Sequence, residues 1–393
     1  MKSRLILWTL VFFLLTPAWM RLAWEFTPRK VMNLMIVDKT VLNSSSVKHR
    51  SVNWVLDHEK YIKSDSNYYE IDKDYYGFFP GENENYRIKD FDNMSDEELD
   101  SVADYNDALY FTDTYGIFVN EWYKHRDIHE ESHSIYGGLS EKDLKMMEKM
   151  KARKKLIITE FNMIGMPTPA DVRTSFEKTY HLKWTGWMAR SIASLDTIDN
   201  PDLPKWIVRA YKNNNNNSWK FKNAGMLFIH ENGTVVVLEK GKDLADAIPT
   251  IVTDKINQAR FGIPGSIIYP YWMDIWENKT DSNFVQANYI VNTTATGLAL
   301  LSSFKIPKIF PAIIEHRGDY HFFYFCGDFA DNPTKFRFAK LSGITGLKFL
   351  MYNAKDETDR NRFFWEFYLP LMQNILGDYY KDLSLIRKGR IKD

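Results

Sequence analysis

The chain has a single cysteine, Cys326, so no disulfide can form within it. It has no surplus of either charge: 51 Lys and Arg face 51 Asp and Glu. That balance leaves no electrostatic footprint for nucleic acid. There is no G-x-x-x-x-G-K-[ST] phosphate loop and no G-x-G-x-x-G fingerprint, so two common nucleotide-binding signatures are missing. There is no G-x-S-x-G elbow, which disfavours a serine hydrolase of that kind. No internal repeat at a solenoid period is present. Beyond the N-terminal region no segment qualifies as a bilayer span, since Gly297 to Ile314 carries Lys305 and Lys308.

What is present begins with size. A chain of 393 residues, 45% hydrophobic, can bury a sizeable core and is not disordered as a whole. Aromatic residues reach 15%. They serve either a large core or a surface on which sugar rings stack. At the N-terminus Lys2 and Arg4 precede an apolar run, Leu5 to Leu15, that carries no charge, and apolar character continues to Trp24 with Arg21 as the interruption. No A-x-A cleavage site follows, so an uncleaved membrane anchor is favoured over a cleaved signal peptide. Leu5 to Trp24 is just long enough to span if Arg21 snorkels to the interface. By the positive-inside tendency Lys2 and Arg4 stay in the cytoplasm and the body is extracytoplasmic, although Arg29 and Lys30 on the far flank weaken that orientation.

Four apolar, strand-like runs each end on a carboxylate: Leu34 to Asp38, Ala108 to Asp113, Leu156 to Glu160 and Phe322 to Asp328. Short apolar runs of this kind read as buried parallel strands. In an open α/β sheet ligands bind outside the carboxyl ends of the strands. Acids recurring at that position therefore predict one shared, acid-lined pocket.

Between these runs the pattern is helical. A helix is expected from near Ser46, with Val52, Val55, Leu56 and Ile62 on its inner side. Ser140 with Asp143 forms an approximate cap for a helix striped by Leu144, Met147 and Met150. Thr168-Pro169 reads as a cap followed by proline at the first helical position, after a tight loop from Glu160 through Gly165. Asn83 to Asp107 reads as a polar surface connection. Past Asp196 the texture changes. Met226–His230 and Thr234–Leu238 flank Asn232-Gly233, a hairpin signal. Thr358 to Leu376 reads as a helix rich in aromatics and interrupted at Pro370. The expected organisation is an anchor or signal segment over 1–27, an α/β core over 28–205, a β-hairpin insertion over 206–262, and a C-terminal part over 263–393 that completes the α/β domain. The fold class is α/β, a doubly wound and mostly parallel sheet with an antiparallel insertion.

The stretch from Leu34 to about Asp196 resembles the class I glutamine amidotransferase-like superfamily. The resemblance is carried by Val37-Asp38, by DALYFTDTYG at Asp107–Gly116 and by KLIITEFN at Lys155–Asn162. LKWTGW at Leu182–Trp187 and FFYFCGDFAD at Phe322–Asp331 add to it. A flavodoxin-like sheet has much the same texture. The resemblance implies a fold. Active members of the superfamily carry a cysteine at the elbow and a later histidine. Here the elbow position holds Glu160, and Cys326 lies on another strand. Thiolate chemistry on glutamine is not expected, and fold alone does not imply function.

Glu160, Asp113 and Asp328 are the candidate catalytic acids. Asp38, Lys39, Tyr115, Asn162, Trp187 and Asp331 are the candidate ligand contacts. Paired carboxylates divide acid and base roles when their surroundings separate their pKa values. Glu160 is expected to face a helix N-terminus that keeps it ionised, with Asn162, Thr168 and Arg173 orienting it. The literal HExxH at His129-Glu130-Glu131-Ser132-His133 offers His129 and His133 as metal ligands, but Glu131 is charged where a zinc-protease helix is not. His125 lies at a further helical spacing. YPYWMDIW, from Tyr269 to Trp276, is either core or a saccharide platform, with Asp274 as a further acid. Three readings stay open: a glycan-acting hydrolase or lyase-like enzyme, a non-catalytic binding or scaffold protein, and a metal-dependent hydrolase. The expected partners are a membrane, through the N-terminal segment, and a saccharide, with no nucleic acid. No cofactor is specified.

Overall fold

The computed structural model describes residues 15–43, 47–124, 126, 132–200 and 203–389. In chain order the first strands are β1 (Lys30–Val31), β2 (Leu34–Asp38), β3 (Tyr61–Ile62), β4 (Tyr76–Pro80), β5 (Tyr86–Lys89) and β6 (Ala108–Asp113). Then follow β7 (Ile117–Phe118), β8 (Ser134–Tyr136), β9 (Leu156–Thr159), β10 (Leu182–Ile192), β11 (Gly225–His230) and β12 (Val235–Glu239). The remaining strands are β13 (Thr250–Val252), β14 (Ser266–Ile268), β15 (Met273–Asn278), β16 (Asn283–Ile290), β17 (Ile309–Arg317) and β18 (His321–Phe325).

The central sheet has ten strands in the order β14-β13-β16-β17-β18-β9-β6-β2-β4-β5. Its middle, β18-β9-β6-β2-β4, is parallel throughout. Both flanks are antiparallel. The sheet is therefore mixed, and its parallel part holds the four acid-tipped strands together with β4. β2, β6 and β9 are buried along their whole length, which is why each reads as a continuous apolar run rather than an alternating one. A second, four-stranded antiparallel sheet runs β12-β11-β10-β15. The Asn232-Gly233 hairpin joins β11 to β12, with Gly233 at φ +85°. The start of β15 touches the loop after β18: the Asp274 N–H donates to Cys326 O (3.2 Å) and the Asp328 N–H to Trp272 O (3.2 Å). This contact ties the second sheet to the end of the first where Asp328 sits.

The helices relevant here are α1 (Thr16–Glu25), α2 (Arg50–His58), α3 (Asp96–Tyr105), α4 (Val119–Trp122), α5 (Glu141–Ala152) and α6 (Ala170–Tyr180). They continue as α7 (Lys205–Asn214), α8 (Lys255–Phe261), α9 (Ala295–Ser303), α10 (Arg360–Phe363) and α11 (Leu369–Arg387). α5 carries the reciprocal cap expected of Ser140 and Asp143. α6 begins one residue later than the cap signal indicated. Thr168 does not cap it, and its hydroxyl instead accepts the Leu139 N–H (2.9 Å). The expected start of α2 near Ser46 lies outside the described residues, and the helix is formed from Arg50; Ile62 belongs to β3, not to its inner face. The segment from Asn83 to Asp107 holds more than a connection, because Ser95 and Glu98 form a capping box for α3. That helix then pairs its acids with α5, as in Lys149–Asp100 (2.7 Å) and Arg153–Asp104 (2.6 Å).

The aromatic C-terminal segment is one bent rod. α10 passes into a π-helical turn, Phe364–Tyr368, and then into α11, with Pro370 just past the π turn, where the helix departs from regular α geometry. The π turn sends Phe364, Trp365, Phe367 and Tyr368 all inward.

Among the described residues no helix is long and apolar enough to cross a membrane. Residues 5–14 of the expected anchor lie outside the described residues. α1 lies on the body with Trp24 buried, and Trp24 Nε1 donates to His58 O (3.0 Å).

Candidate functional site

The β2 and β6 ends meet at Asp38 and Asp113, which are register partners just past a local irregularity. Gly77 of β4 lies against Asp38 at φ +143°, and a Cβ there would sit 1.8 Å from Asp38 O. Only glycine allows so close an approach. The Asp38 carboxylate is fully engaged. It accepts the N–H groups of Thr40 (3.1 Å), Lys48 (2.9 Å) and His49 (3.2 Å), and lies 2.7 Å from His49 Nδ1. Asp38 therefore fixes the loop ahead of α2, and with it the position of Lys48.

Lys48 reaches across the sheet end. Its ammonium lies 2.6 Å from Asp331 and 3.4 Å from Asp328. Burial works against its charge, but Asp328, Asp331 and Asp113 outweigh burial and hold the ammonium above its usual range. Arg360, at the start of α10, brings the second cation. Its guanidinium lies 3.9 Å from Asp328 and 3.8 Å from Asp331, and donates to Asp328 O (2.8 Å). It also lies 4.0 Å from the centre of the Tyr271 ring.

The acids respond in opposite ways. Asp331 is lowered: burial opposes its charge, and Lys48 and Arg360 more than restore it. Asp113 is only 8% exposed, and burial raises its pKa to about 7. Lys48 and the Tyr115 N–H (2.7 Å) pull that value down, while Asp328 and Asp38 push it up. The end of the sheet thus holds one carboxyl that burial pushes up towards neutrality and another that Lys48 and Arg360 hold low.

Glu160 has a different environment from the one its position suggested. It is 1% exposed. Its partners are the Tyr110 hydroxyl and the Ala330 N–H (2.9 Å), and Tyr110 in turn meets the Tyr368 hydroxyl (2.8 Å). Asn162, Thr168 and Arg173 all bond elsewhere. Burial outweighs these hydrogen bonds and raises Glu160 well above the usual carboxyl range, which favours the protonated form over the expected carboxylate. Glu160→Gln is accordingly expected to keep stability within about 1 kcal/mol, the scale of one neutral hydrogen bond. An amide NH₂ can donate to Tyr110 while its carbonyl accepts from Ala330. A loss of several kcal/mol in a urea titration would show that Glu160 carries charge.

The other sequence candidates divide. Asp328 and Asp331 stand in the cluster. Tyr115 flanks Asp113, partly exposed, with its ring 4.7 Å from Phe118. Lys39, expected to touch ligand, is buried instead: it pairs with Asp143 and donates to Gly138 O (2.9 Å). Asn162 donates its N–H to Asp274 (3.2 Å), which also accepts from Tyr324 (2.7 Å). Burial raises Asp274 to about 6. Trp187 packs in the second sheet against His230 (4.8 Å) and Phe304 (6.2 Å), away from the acids. His129, Glu130, Glu131 and His125 lie outside the described residues. His133 uses its carbonyl to accept the Val119 N–H (3.1 Å). Among the described residues no group of three or more His, Cys, Asp and Glu could hold a metal ion. Cys326 is buried, and burial raises its thiol well above the usual range. Two clefts of about 520 and 500 Å³ exist elsewhere, and none of the strand-end acids lines either.

Comparison with known proteins adds little. No family model matches the chain, and no curated protein matches it. The solved structure of a protein assigned as ThuA-like, from Bacteroides uniformis, is similar over 86% of this chain and 98% of its own, at 7% identity and a TM-score of 0.38. Likeness at that level assigns neither a fold family nor an activity.

Two residues of the cluster escaped the sequence reading. Lys48 carried a usable signal, a cation shortly after the first strand-end acid and just ahead of a helix. Arg360 carried none, being one of several charges in a polar stretch (DETDRNR) far along the chain.

Proposed function

We propose that this chain is a membrane-attached, extracytoplasmic hydrolase that acts on a glycan at the carboxyl end of a doubly wound, amidotransferase-like sheet. The observation that carries the reading is the cluster at the sheet end, Lys48 with Asp331 (2.6 Å) and Asp328 (3.4 Å), where burial raises Asp113 and the cations lower Asp331. Two carboxyls with separated pKa values are what acid and base division needs. In this reading Asp113 donates its proton to the leaving oxygen. Asp331 stays ionised and serves as the base or as a charge stabiliser, with Asp328 beside it. Lys48 and Arg360 set the positions of both. Glu160 supports from behind as a neutral donor and acceptor that holds the loop at Ala330. Tyr115, partly exposed next to Asp113, offers a ring for a sugar to stack on. Membrane attachment rests on Lys2 and Arg4 ahead of the apolar run Leu5–Leu15.

The test is release of reducing ends from a panel of polysaccharides and p-nitrophenyl glycosides by the purified full chain. The expected result is release that disappears in Asp113→Asn. A second reading, a saccharide-binding protein without turnover, is favoured by the way Lys48 and Arg360 each already span Asp328 and Asp331. Saturable binding of labelled oligosaccharides with no release across the panel would establish that reading and overturn the first.

A further inference from the structure

α1 has two faces. Met20 packs against the core and Trp24 is buried. The helix end is held by Lys60, which donates to Glu25 O (2.7 Å) and Thr27 O (3.0 Å) with its ammonium 4.4 Å from the centre of the Trp24 ring. The outer face carries Leu15, Trp19, Leu22 and Phe26, each at least 43% exposed. Their spacing of four, three and four residues puts them on one ridge of a helix. A second apolar edge begins beside it. The Ser342 N–H donates to Met20 O (3.0 Å), and the 3₁₀ segment that follows, Ile344–Leu350, ends on Phe349 and Leu350, both more than half exposed.

We infer that the outer ridge of α1 lies in the interface of a lipid bilayer and holds the body against the membrane surface. The inference rests on the membrane attachment proposed above and adds where and how the folded body meets lipid. Three observations favour lipid over a protein partner. The ridge begins at Leu15, the last residue of the apolar run Leu5–Leu15, so a partner covering the ridge alone would leave that run uncovered. The run is short: even if fully helical, residues 5–15 rise only about 16 Å, roughly half of the ~30 Å hydrocarbon core. Because Met20 and Trp24 are committed to the body, α1 cannot supply the missing length and is left at headgroup level. A tryptophan on an amphipathic ridge suits that level.

The single native cysteine is buried, so an introduced thiol can be labelled alone. Full-length Leu22→Cys and, separately, Leu10→Cys would carry an environment-sensitive fluorophore in vesicles of phosphatidylcholine and phosphatidylglycerol. The expected result is a blue shift at position 22, with loss of emission when the acyl chains are brominated. If position 10 is quenched while position 22 stays aqueous, the ridge is not at the interface and the inference falls, leaving membrane attachment intact. If neither is quenched, the attachment itself is wrong and the inference goes with it. A blue shift at position 22 that grows with protein concentration and needs no lipid identifies a second copy as the occupant and overturns the inference.

Discussion

Asp113→Asn is expected to cut turnover by about 10²–10⁴, the usual contribution of a general acid or base, while making the folded chain more stable at and above neutral pH. Asn keeps the shape of the side chain and still accepts the Tyr115 N–H. What it removes is a proton that the folded chain holds more tightly than the unfolded one. Asp113 ionises near 3.8 when unfolded and near 7 when folded. Between those values the folded state binds more protons, so stability falls as pH rises from about 4 to about 7. Below pH 4 both states are protonated and the substitution changes little. Above pH 7 the whole penalty is in place, and its removal is worth at most about 4 kcal/mol. Urea titrations of the two proteins at pH 4 and pH 8 would separate the cases. Loss of stability at pH 8 would mean that the Asp113 charge is supported, and the proposed acid role would fail with it. A gain in stability together with a loss of turnover is what a site that sacrifices stability for chemistry predicts.

Lys39→Met should do the reverse, lowering stability by about 3–5 kcal/mol through the carboxylate left unpaired in the interior. The Lys39 and Asp143 side chains are 1% and 0% exposed. Asp143 also accepts the Ser140 N–H (2.7 Å), so its charge sits at the first turn of α5 with Lys39 as the one cation in contact among the described residues. Pairing Lys39→Met with Asp143→Asn should recover much of the loss, because the amide keeps the cap and the buried charge is gone. A double variant no better than Lys39→Met would falsify this account. Any glycan turnover in Lys39→Met should remain close to that of the parent under conditions where the variant is folded, since Lys39 points into the body.

Much of the central architecture was legible because burial on both faces writes itself into sequence. LMIVD, ALYFTD and LIIT admit no solvent-facing residue, and their strands fall where the apolar runs do. The flanking antiparallel strands were harder, because their pairing depends on partners far away in sequence. β17 aligns β16 with β18, and nothing local in Ile309–Arg317 reports that. The acids were legible as a set but not in their roles. Asp38 and Asp113 end neighbouring strands, yet one is saturated with N–H donors and the other is nearly bare. The difference arises from Lys48 and the loop before α2, tertiary facts that strand-end spacing does not contain. Glu160 misled for a related reason. A turn leading to a helix suggested an ionised group, but Tyr110 and Ala330 enclose it from other segments. At the N-terminus the apolar pattern runs on to Trp24, which is buried against the body, and sequence alone does not mark where α1 docks.

The rod that begins at Arg360 also orders the pocket in time. Asp38, Asp113 and Lys48 leave the ribosome long before Arg360 does, and Asp328 and Asp331 follow only shortly ahead of it. A nascent chain therefore meets its second cation late, after the four parallel strands that carry the acids have been made. At the far end of the same rod Arg387 grips Asp107 (2.8 Å) and Val31 O (2.8 Å), beside the start of β6. Docking this one segment thus closes both ends of the sheet together, and a chain halted before it would leave Asp328 and Asp331 without the Arg360 guanidinium.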